Sequence, residues 1–256
     1  EYDVDIDYVS FNEANLGIRV LLTPFDVIEL LRLAGPRFAE LGLKTRWLLG
    51  DTSNMAEAAD YAGWIWQAED IRPYLGPLAF HSWDAGAADS TLERIGKLAD
   101  ENDLEVWCTE GGWDPSLWQH PERFPTWTHA VSLAAVYTRA LKMTRATVFQ
   151  YWQMSGNDYA LNDGSQPYPA LVFLSAFQRA FPAGSVVLNT SPDKGGIKFA
   201  AARAGAKYSV VVVNVSIRET MTLRGLPDGE YSVQVYSQKS GADSVHTLAV
   251  KDAAAV

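Results

Sequence analysis

The stretch Glu105-Val106-Trp107-Cys108-Thr109-Glu110-Gly111-Gly112 (residues 105–112) is an apolar run that ends in a carboxylate and two glycines. A short apolar run of this kind is typical of a buried strand in a parallel sheet. The carboxyl ends of such strands form the functional face of β/α folds, so Glu110 is well placed for chemistry. The glycines let the backbone turn tightly beside the carboxylate. We therefore expect an α/β fold with Glu110 at the mouth of a strand.

The same pattern recurs on both sides of this stretch, from Tyr8 to about Phe181. Five apolar runs are predicted as strands: residues 8–13, 46–51, 78–83, 105–110 and 147–154. The segments between them have helical spacing, for example Phe25, Ile28, Leu31 and Leu33 after the Thr23-Pro24 start. Alternating strands and helices indicate repeated β-α units on a parallel sheet.

The pattern changes after about Gly184 to short strand-like runs separated by turns. The runs are residues 210–213, 230–236 and 245–250, and Pro227-Asp228-Gly229 is a turn signal between them. This pattern predicts a small antiparallel β domain. Because proline ends a helix and glycine frees the backbone, the Pro182–Gly184 segment is the expected boundary. We therefore predict two domains, residues 1–183 and 184–256.

Polar and aromatic side chains stand at the ends of all five predicted strands. They are Glu13, Asp51, His81 with Trp83, Glu110, and Trp152 with Gln153. A single carboxylate of this kind would be equally well explained as a solvent-exposed loop residue. Five strand ends of one sheet that carry such side chains indicate a shared cavity suited to holding a polyol.

Composition and charge exclude several other classes of function. The net charge is −10, with 31 acidic and 21 basic residues, and this field repels nucleic acid and anionic membrane surfaces. No apolar run is long enough for a membrane helix. The four histidines are widely spaced and no motif for a metal, phosphate or dinucleotide is present, so we expect no metal and no cofactor. The single cysteine, Cys108, is expected to be a small buried core residue.

These residues resemble the second half of a clan A retaining glycoside hydrolase, in particular family 30. In that clan the acid/base glutamate follows an asparagine at the end of the fourth barrel strand, as Glu13 follows Asn12 here. The nucleophile ends the seventh strand, and Glu110 matches that position. A histidine or aromatic residue on strand six and a tryptophan on strand eight match His81, Trp83 and Trp152.

The resemblance implies a partial (β/α)8 TIM barrel, strands four to eight, followed by a small antiparallel β-sandwich domain. The three strands that would complete the barrel are then expected upstream. The substrate implied is an oligosaccharide or another glycoside, cleaved by a retaining double displacement. The family also suggests a secreted or periplasmic location.

Residue roles follow from the same resemblance. Glu110 would attack the anomeric carbon, and Glu13 would protonate the leaving oxygen and later activate water. Asn12 would bind the 2-hydroxyl of the sugar, His81 would orient Glu110, and Trp152 would lie under the ring. The further residues expected to contact substrate are Asp51, Trp83, Trp113 and Gln153.

Two alternatives stay open at the level of sequence. The chain could be a carbohydrate-binding protein without turnover, in which the carboxylates only accept hydrogen bonds. It could also be an inactive, truncated hydrolase. The separation of the two carboxylates distinguishes catalysis by retention from the other cases, because a separation well beyond about 6 Å would favour binding or an inverting reaction.

Overall fold

A computed structural model describes residues 4–155, 159–215, 221–238, 241–252 and 254–255 of the chain. Its first part is a parallel sheet of five strands that neighbour one another in chain order. The strands are β1 (Tyr8–Val9), β2 (Arg46–Thr52), β3 (Leu75–His81), β4 (Val106–Gly111) and β5 (Ala146–Tyr151). This curled sheet of successive parallel strands confirms the predicted α/β class and forms part of a barrel.

A helix follows each strand. The helices are α1 (Pro24–Glu40), α2 (Met55–Trp66), α3 (Asp89–Asn102), α4 (Trp127–Thr144) and α5 (Pro169–Ala180). Short 3-10 helices at Glu69–Tyr74, Leu117–Gln119 and Pro121–Arg123 lie in the connections. Neighbouring helices pack side by side along the outside of the sheet, α1 on α2, α2 on α3, α3 on α4 and α4 on α5.

The core lies between the sheet and these helices. All seven residues of β3 are buried, and Leu49, Leu78 and Phe80 are fully buried. Continuous burial explains why this strand reads as an uninterrupted apolar run. Cys108 is free and buried in the same core, which confirms the structural role expected for it.

The first predicted strand is much shorter than expected. Residues 8–13 were expected to form it, but β1 contains only Tyr8–Val9, and Glu13 lies in the turn that follows. In the described part of the chain β1 pairs only with β2, so few backbone bonds extend it. The other four strands are displaced by no more than three residues from their predicted bounds.

Helix α1 starts where the sequence indicated. Thr23 is its N-cap, its side chain and that of Asp26 form a reciprocal capping box, and Pro24 occupies the first turn. Ile28 and Leu31 are buried as predicted. Phe25 and Leu33 are instead 65% and 76% exposed, so α1 presents an apolar surface that no described element covers.

Antiparallel strands follow α5. A three-stranded sheet contains β6 (Val186–Leu188), β7 (Ile197–Ala204) and β8 (Lys207–Asn214), a hairpin contains β10 (Gly229–Ser237) and β11 (Gly241–Val250), and β9 (Leu223–Arg224) pairs with β12 (Ala254–Ala255). Helix α4 packs against β7 and β8. The antiparallel character of this part confirms the prediction, whereas its division into separate short sheets was not foreseen. No helix in the described part of the chain is long and apolar enough to span a membrane.

Candidate active site

The carboxyl ends of β1 to β4 bring the predicted acidic residues together. Glu13 sits in the turn after β1, and its backbone N–H donates to the carbonyl of Asp51 at 3.0 Å. Glu13 and Asp51 have φ angles of 54° and 50°, in the left-handed region that non-glycine residues rarely adopt. Two neighbouring strand ends with this unfavourable backbone are typical of a site whose geometry is fixed for function.

Glu110 lies near the end of β4, beside Trp83. The indole Nε1–H of Trp83 donates to Glu110 Oε1 at 2.9 Å, and the buried ring packs on Tyr159 at a centroid distance of 5.0 Å. A Cβ at Gly112 would overlap the Trp83 ring. Gly112 is therefore required for close packing, whereas the sequence interpretation assigned it to a tight turn.

His81, the last residue of β3, stands between the two glutamates and is almost fully buried. Its Nδ1 lies 3.2 Å from Glu13 Oε1 and 3.8 Å from Glu110 Oε1, and its Nε2 lies 3.7 Å from Asp51 Oδ1. The ligand-type atoms of Glu13, His81 and Glu110 all lie within 4.8 Å of one another. Two carboxylates from different strands thus converge on one small volume.

His81 and the acidic residues around it shift one another's pKa values. Burial opposes protonation of His81, but hydrogen bonds to Asp51 and Glu13 and the nearby negative charges outweigh it and raise the pKa of His81 to about 9. Burial would raise the pKa of Asp51, yet its bonds to His81, Ser10 and Thr109 hold it below the usual value. At neutral pH the site therefore contains an imidazolium ion beside the carboxylate of Asp51 and the carboxyl groups of Glu13 and Glu110.

The pKa of Glu110 is shifted in the opposite direction from that of Asp51. Burial raises the pKa of the Glu110 carboxyl, against the charge of His81 and the hydrogen bond from Trp83, which both lower it. The nearby charges of Glu13 and Asp51 act in the same direction as burial. Trp83 and His81 are therefore the groups that stabilise the ionised form of Glu110.

Glu13, His81 and Glu110 are also the kind of residues that bind a metal ion. A ring nitrogen can coordinate a metal only when it carries no proton. Both nitrogens of a protonated His81 are donors, and each faces a carboxylate, so ion pairing accounts for this cluster. The expectation that the protein needs no metal stays a prediction.

Not all the predicted substrate contacts face the cavity. Asp51 is only 3% exposed and accepts hydrogen bonds from Ser10 and Thr109. Trp113 donates its indole N–H to His129 Nδ1 at 2.7 Å and packs among buried apolar residues. These two residues and Trp83 therefore contact protein groups.

Three other predicted residues lie where a ligand could reach them. Asn12 is exposed in the turn beside Glu13, and Trp152 is 45% exposed after β5. Gln153 is partly exposed, and its backbone N–H donates to the carbonyl of Tyr159 at 3.3 Å. Asn12 is thus an accessible polar side chain beside Glu13 in the chain, and Trp152 is an accessible aromatic side chain whose backbone N–H donates to the carbonyl of Gly111, the residue after Glu110, at 3.1 Å.

Sequence reasoning missed the residues that hold the site in place. Ser82 accepts a hydrogen bond from the Gly112 backbone N–H at 3.0 Å and donates to its carbonyl at 2.7 Å. Thr109 donates to Asp51, and Asn15 bonds Ser53 after β2. Hydroxyl residues inside or just after apolar strands were the available signal, because such groups need partners when they are buried.

Comparison with solved structures shows the fold. The chain matches a GH30 endoxylanase from Clostridium papyrosolvens with a TM-score of 0.73 at 14% identity, covering 98% of this chain and 62% of that one. It matches the catalytic domain of GH30 xylanase C from Talaromyces cellulolyticus with a TM-score of 0.70 at 16% identity, covering 98% and 59%. A GH39 β-xylosidase from Caulobacter crescentus matches with a TM-score of 0.53 at 14% identity, covering 80% and 47%.

These matches show that the chain has the fold of the GH30 and GH39 structures it matches, as the sequence resemblance implied. The chain spans about three fifths of the length of the two GH30 structures. No protein-family model matches the sequence, and no curated protein matches it.

Proposed function

We propose that this chain carries the two catalytic glutamates of a retaining glycoside hydrolase. The observation that supports the proposal best is that carboxylate oxygens of Glu13 and Glu110 lie within 4.8 Å of each other. Carboxyl groups about 5–5.5 Å apart are typical of retention, whereas inverting enzymes need about 6.5–9.5 Å to admit a water molecule. The proximity therefore favours a double displacement.

In the first step, Glu110 forms a bond to the anomeric carbon while the bond from that carbon to the leaving oxygen breaks. The proton of Glu13 passes to the leaving oxygen. In the second step, the Glu13 carboxylate takes a proton from water, the water oxygen bonds to the anomeric carbon, and Glu110 departs as a carboxylate.

The neighbours of the glutamates support these roles. Burial raises the pKa of Glu110, and Trp83 and the imidazolium of His81 counter that rise, which favours the ionised form that a nucleophile requires. His81 also bonds Glu13 directly, so it would position both carboxylates and not only Glu110. We assign sugar contacts to Asn12 and Trp152, with Gln153 beside them, and supporting roles to Asp51, Trp83 and Trp113.

We also propose that further β-α units complete the barrel around this site. A closed barrel leaves no strand edge unpaired, whereas β1 and β5 each have one partner in the described part of the chain. The exposed apolar side chains of Phe25 and Leu33 on α1 form a surface that a neighbouring helix would cover. The substrate cleft would then be shaped partly by loops of those units.

We place the domain boundary at residues 183/184. Helix α5 ends at Ala180 and the first antiparallel strand begins at Val186, so the change of architecture falls between them. An ion pair of 2.8 Å between Lys142 of α4 and Asp193 links the two parts.

The function is tested by Glu110→Ala in the protein that carries the complete barrel, assayed on aryl glycosides. We expect turnover to fall by at least about 10⁴-fold, as is usual when a catalytic group is removed. External azide should restore part of the activity and give a glycosyl azide of inverted configuration, because it enters the space left by the nucleophile. Glu105→Ala, which removes an exposed carboxylate near the start of the same strand, is the control.

Glu13→Ala tests the second role. Without the acid, aryl glycosides with a good leaving group should be cleaved far faster than those with a poor one. Equal losses on both would contradict the role of Glu13 as the acid, and unaltered activity of Glu110→Ala would remove Glu110 from the mechanism.

A further inference from the structure

A buried histidine on α4 uses both ring nitrogens close to the site. His129 is 2% exposed, and its Nδ1 accepts a hydrogen bond from the indole N–H of Trp113 at 2.7 Å. An accepting Nδ1 carries no proton, so the neutral ring carries its proton on Nε2. Nε2 faces the hydroxyl of Tyr151 at 3.4 Å. The contacts thus define a single tautomer of His129.

The hydroxyl of Tyr151 continues this chain of contacts. It donates to the carbonyl of Tyr159 at 2.9 Å, and the same carbonyl accepts the backbone N–H of Gln153. The ring of Tyr159 packs on Trp83, whose indole N–H donates to Glu110. Contacts therefore connect His129 on α4 to Glu110 without a gap.

The elements joined in this way are the ones that present the site. Trp113 follows β4 three residues after Glu110, and Tyr151 ends β5 immediately before Trp152. From α4, His129 therefore holds the ends of two neighbouring strands and the loop that packs on Trp83. A histidine that only filled the core would also need a partner for each ring nitrogen. Its partners would have no reason to lie at the ends of the strands that carry the site.

We propose that His129 is a positioning residue, which fixes Glu110 and Trp152 through Trp113, Tyr151 and Tyr159. The inference rests on the proposed function for its catalytic meaning. The positioning itself is a statement about geometry and can be tested without turnover.

The electrostatics of His129 agree with this role. Burial lowers the pKa of His129 to about 4, and no charged group among the described residues contributes to that shift. Its described neighbours are the neutral groups of Trp113, Phe124 and Tyr151. The ring therefore stays neutral, and Nδ1 stays available to Trp113, across the neutral pH range.

The test compares three variants by the indole N–H signals in two-dimensional proton–nitrogen NMR spectra of the full chain, assigned by single Trp→Phe changes. Tyr151→Phe removes one hydroxyl and preserves the ring, and His129→Phe removes both hydrogen bonds. Thr138→Ala, at a fully buried position of the same helix, is the matched control.

We expect the signals of Trp83 and Trp152 to shift in Tyr151→Phe and His129→Phe at pH 7, and not in Thr138→Ala. Unmoved signals of Trp83 and Trp152 in a folded Tyr151→Phe variant would overturn the proposal. If His129→Phe does not fold, Tyr151→Phe alone decides. In the unsubstituted chain the Trp113 signal should move with a midpoint near pH 4, and a midpoint near 6.5 would contradict a buried acceptor.

Kinetics then separate this inference from the proposed function. With an aryl glycoside and the protein that carries the complete barrel, Tyr151→Phe should lower kcat roughly tenfold to a hundredfold because Glu110 is misplaced, and should raise KM because Trp152, a proposed sugar contact, moves with it. An unchanged kcat would show that the shift does not matter to catalysis and would overturn the catalytic part. If the unsubstituted protein with the complete barrel cleaves no glycoside, the proposed function fails, and the NMR comparison still decides whether His129 positions Glu110.

Discussion

Gly112 is the residue at which the requirement for a small side chain is most direct. Because a Cβ there would overlap the Trp83 ring, Gly112→Ala should displace the indole that donates to Glu110. We expect a loss of about 1–3 kcal/mol in the free energy of unfolding, as is usual for overpacking. Urea unfolding measures this loss, and indole fluorescence reports the displacement.

Gly86→Ala is the matched control, since nothing lies within 4 Å of a Cβ at that position. Its unfolding midpoint should stay close to that of the unsubstituted chain. Equal midpoints for Gly112→Ala and Gly86→Ala would contradict the close packing of Trp83.

At the residue scale the sequence was enough to single out Glu13 and Glu110, because an acid after an apolar run is conspicuous. It could not show that Asp51 would be buried among protein groups. Two of the partners of Asp51, Ser10 and Thr109, lie 41 and 58 positions away along the chain. Only the folded sheet brings such distant residues together. The sequence alone could not show these contacts, and it therefore predicted that Asp51 contacts the substrate.

At the element scale, two helical glycines that face neighbouring helices should respond in opposite ways to alanine. A Cβ at Gly96 of α3 would overlap the carbonyl oxygen of Met143 on α4, whereas one at Gly63 of α2 would meet only Leu98 Cδ2 at 3.9 Å. Gly63→Ala should stabilise the chain by about 0.5–1 kcal/mol through helix propensity.

Gly96→Ala should instead destabilise the chain by about 1–3 kcal/mol, because α3 and α4 would be forced apart. Thermal unfolding of both variants, followed by circular dichroism, measures the two effects side by side. A stabilised Gly96→Ala variant would show that α4 yields easily, and the close approach of the helices would then not limit stability.

Most strands and helices were predictable from the sequence, because burial leaves a pattern of apolar residues. β3 is buried along its whole length, so its sequence is continuously apolar. Phe25 and Leu33 have helical spacing, yet they lie on the exposed side of α1. Spacing identifies a helix, whereas the face that is covered depends on which neighbours are packed against it.

At the scale of the whole molecule, the order of the five strands follows from the rule that successive β-α units lie side by side. The antiparallel part was less predictable, because the pairing of β9 with β12 joins distant segments that contain two residues each. Strands this short leave no periodic signal in a sequence.

Two histidines should give the whole molecule opposite dependences of stability on pH. The pKa of His81 is raised to about 9, above its ordinary value near 6.5, so its contribution is complete below pH 6.5 and is lost as the pH rises towards 9. The pKa of His129 is lowered to about 4, so its contribution is complete above pH 6.5 and is lost as the pH falls towards 4.

The two pH dependences are measured by urea titrations between pH 4 and 9. At each pH, the free energy of unfolding of each variant is compared with that of the unsubstituted chain. The difference for His129→Gln should shrink by up to about 1.4 kcal/mol per pH unit between pH 6.5 and 4, and that for His81→Gln should shrink between pH 6.5 and 9. Gly86→Ala, which removes no titratable group, should show a difference that is independent of pH and serves as the control. A flat difference for His129→Gln would mean that burial does not oppose protonation of its ring, which would contradict a lowered pKa for His129.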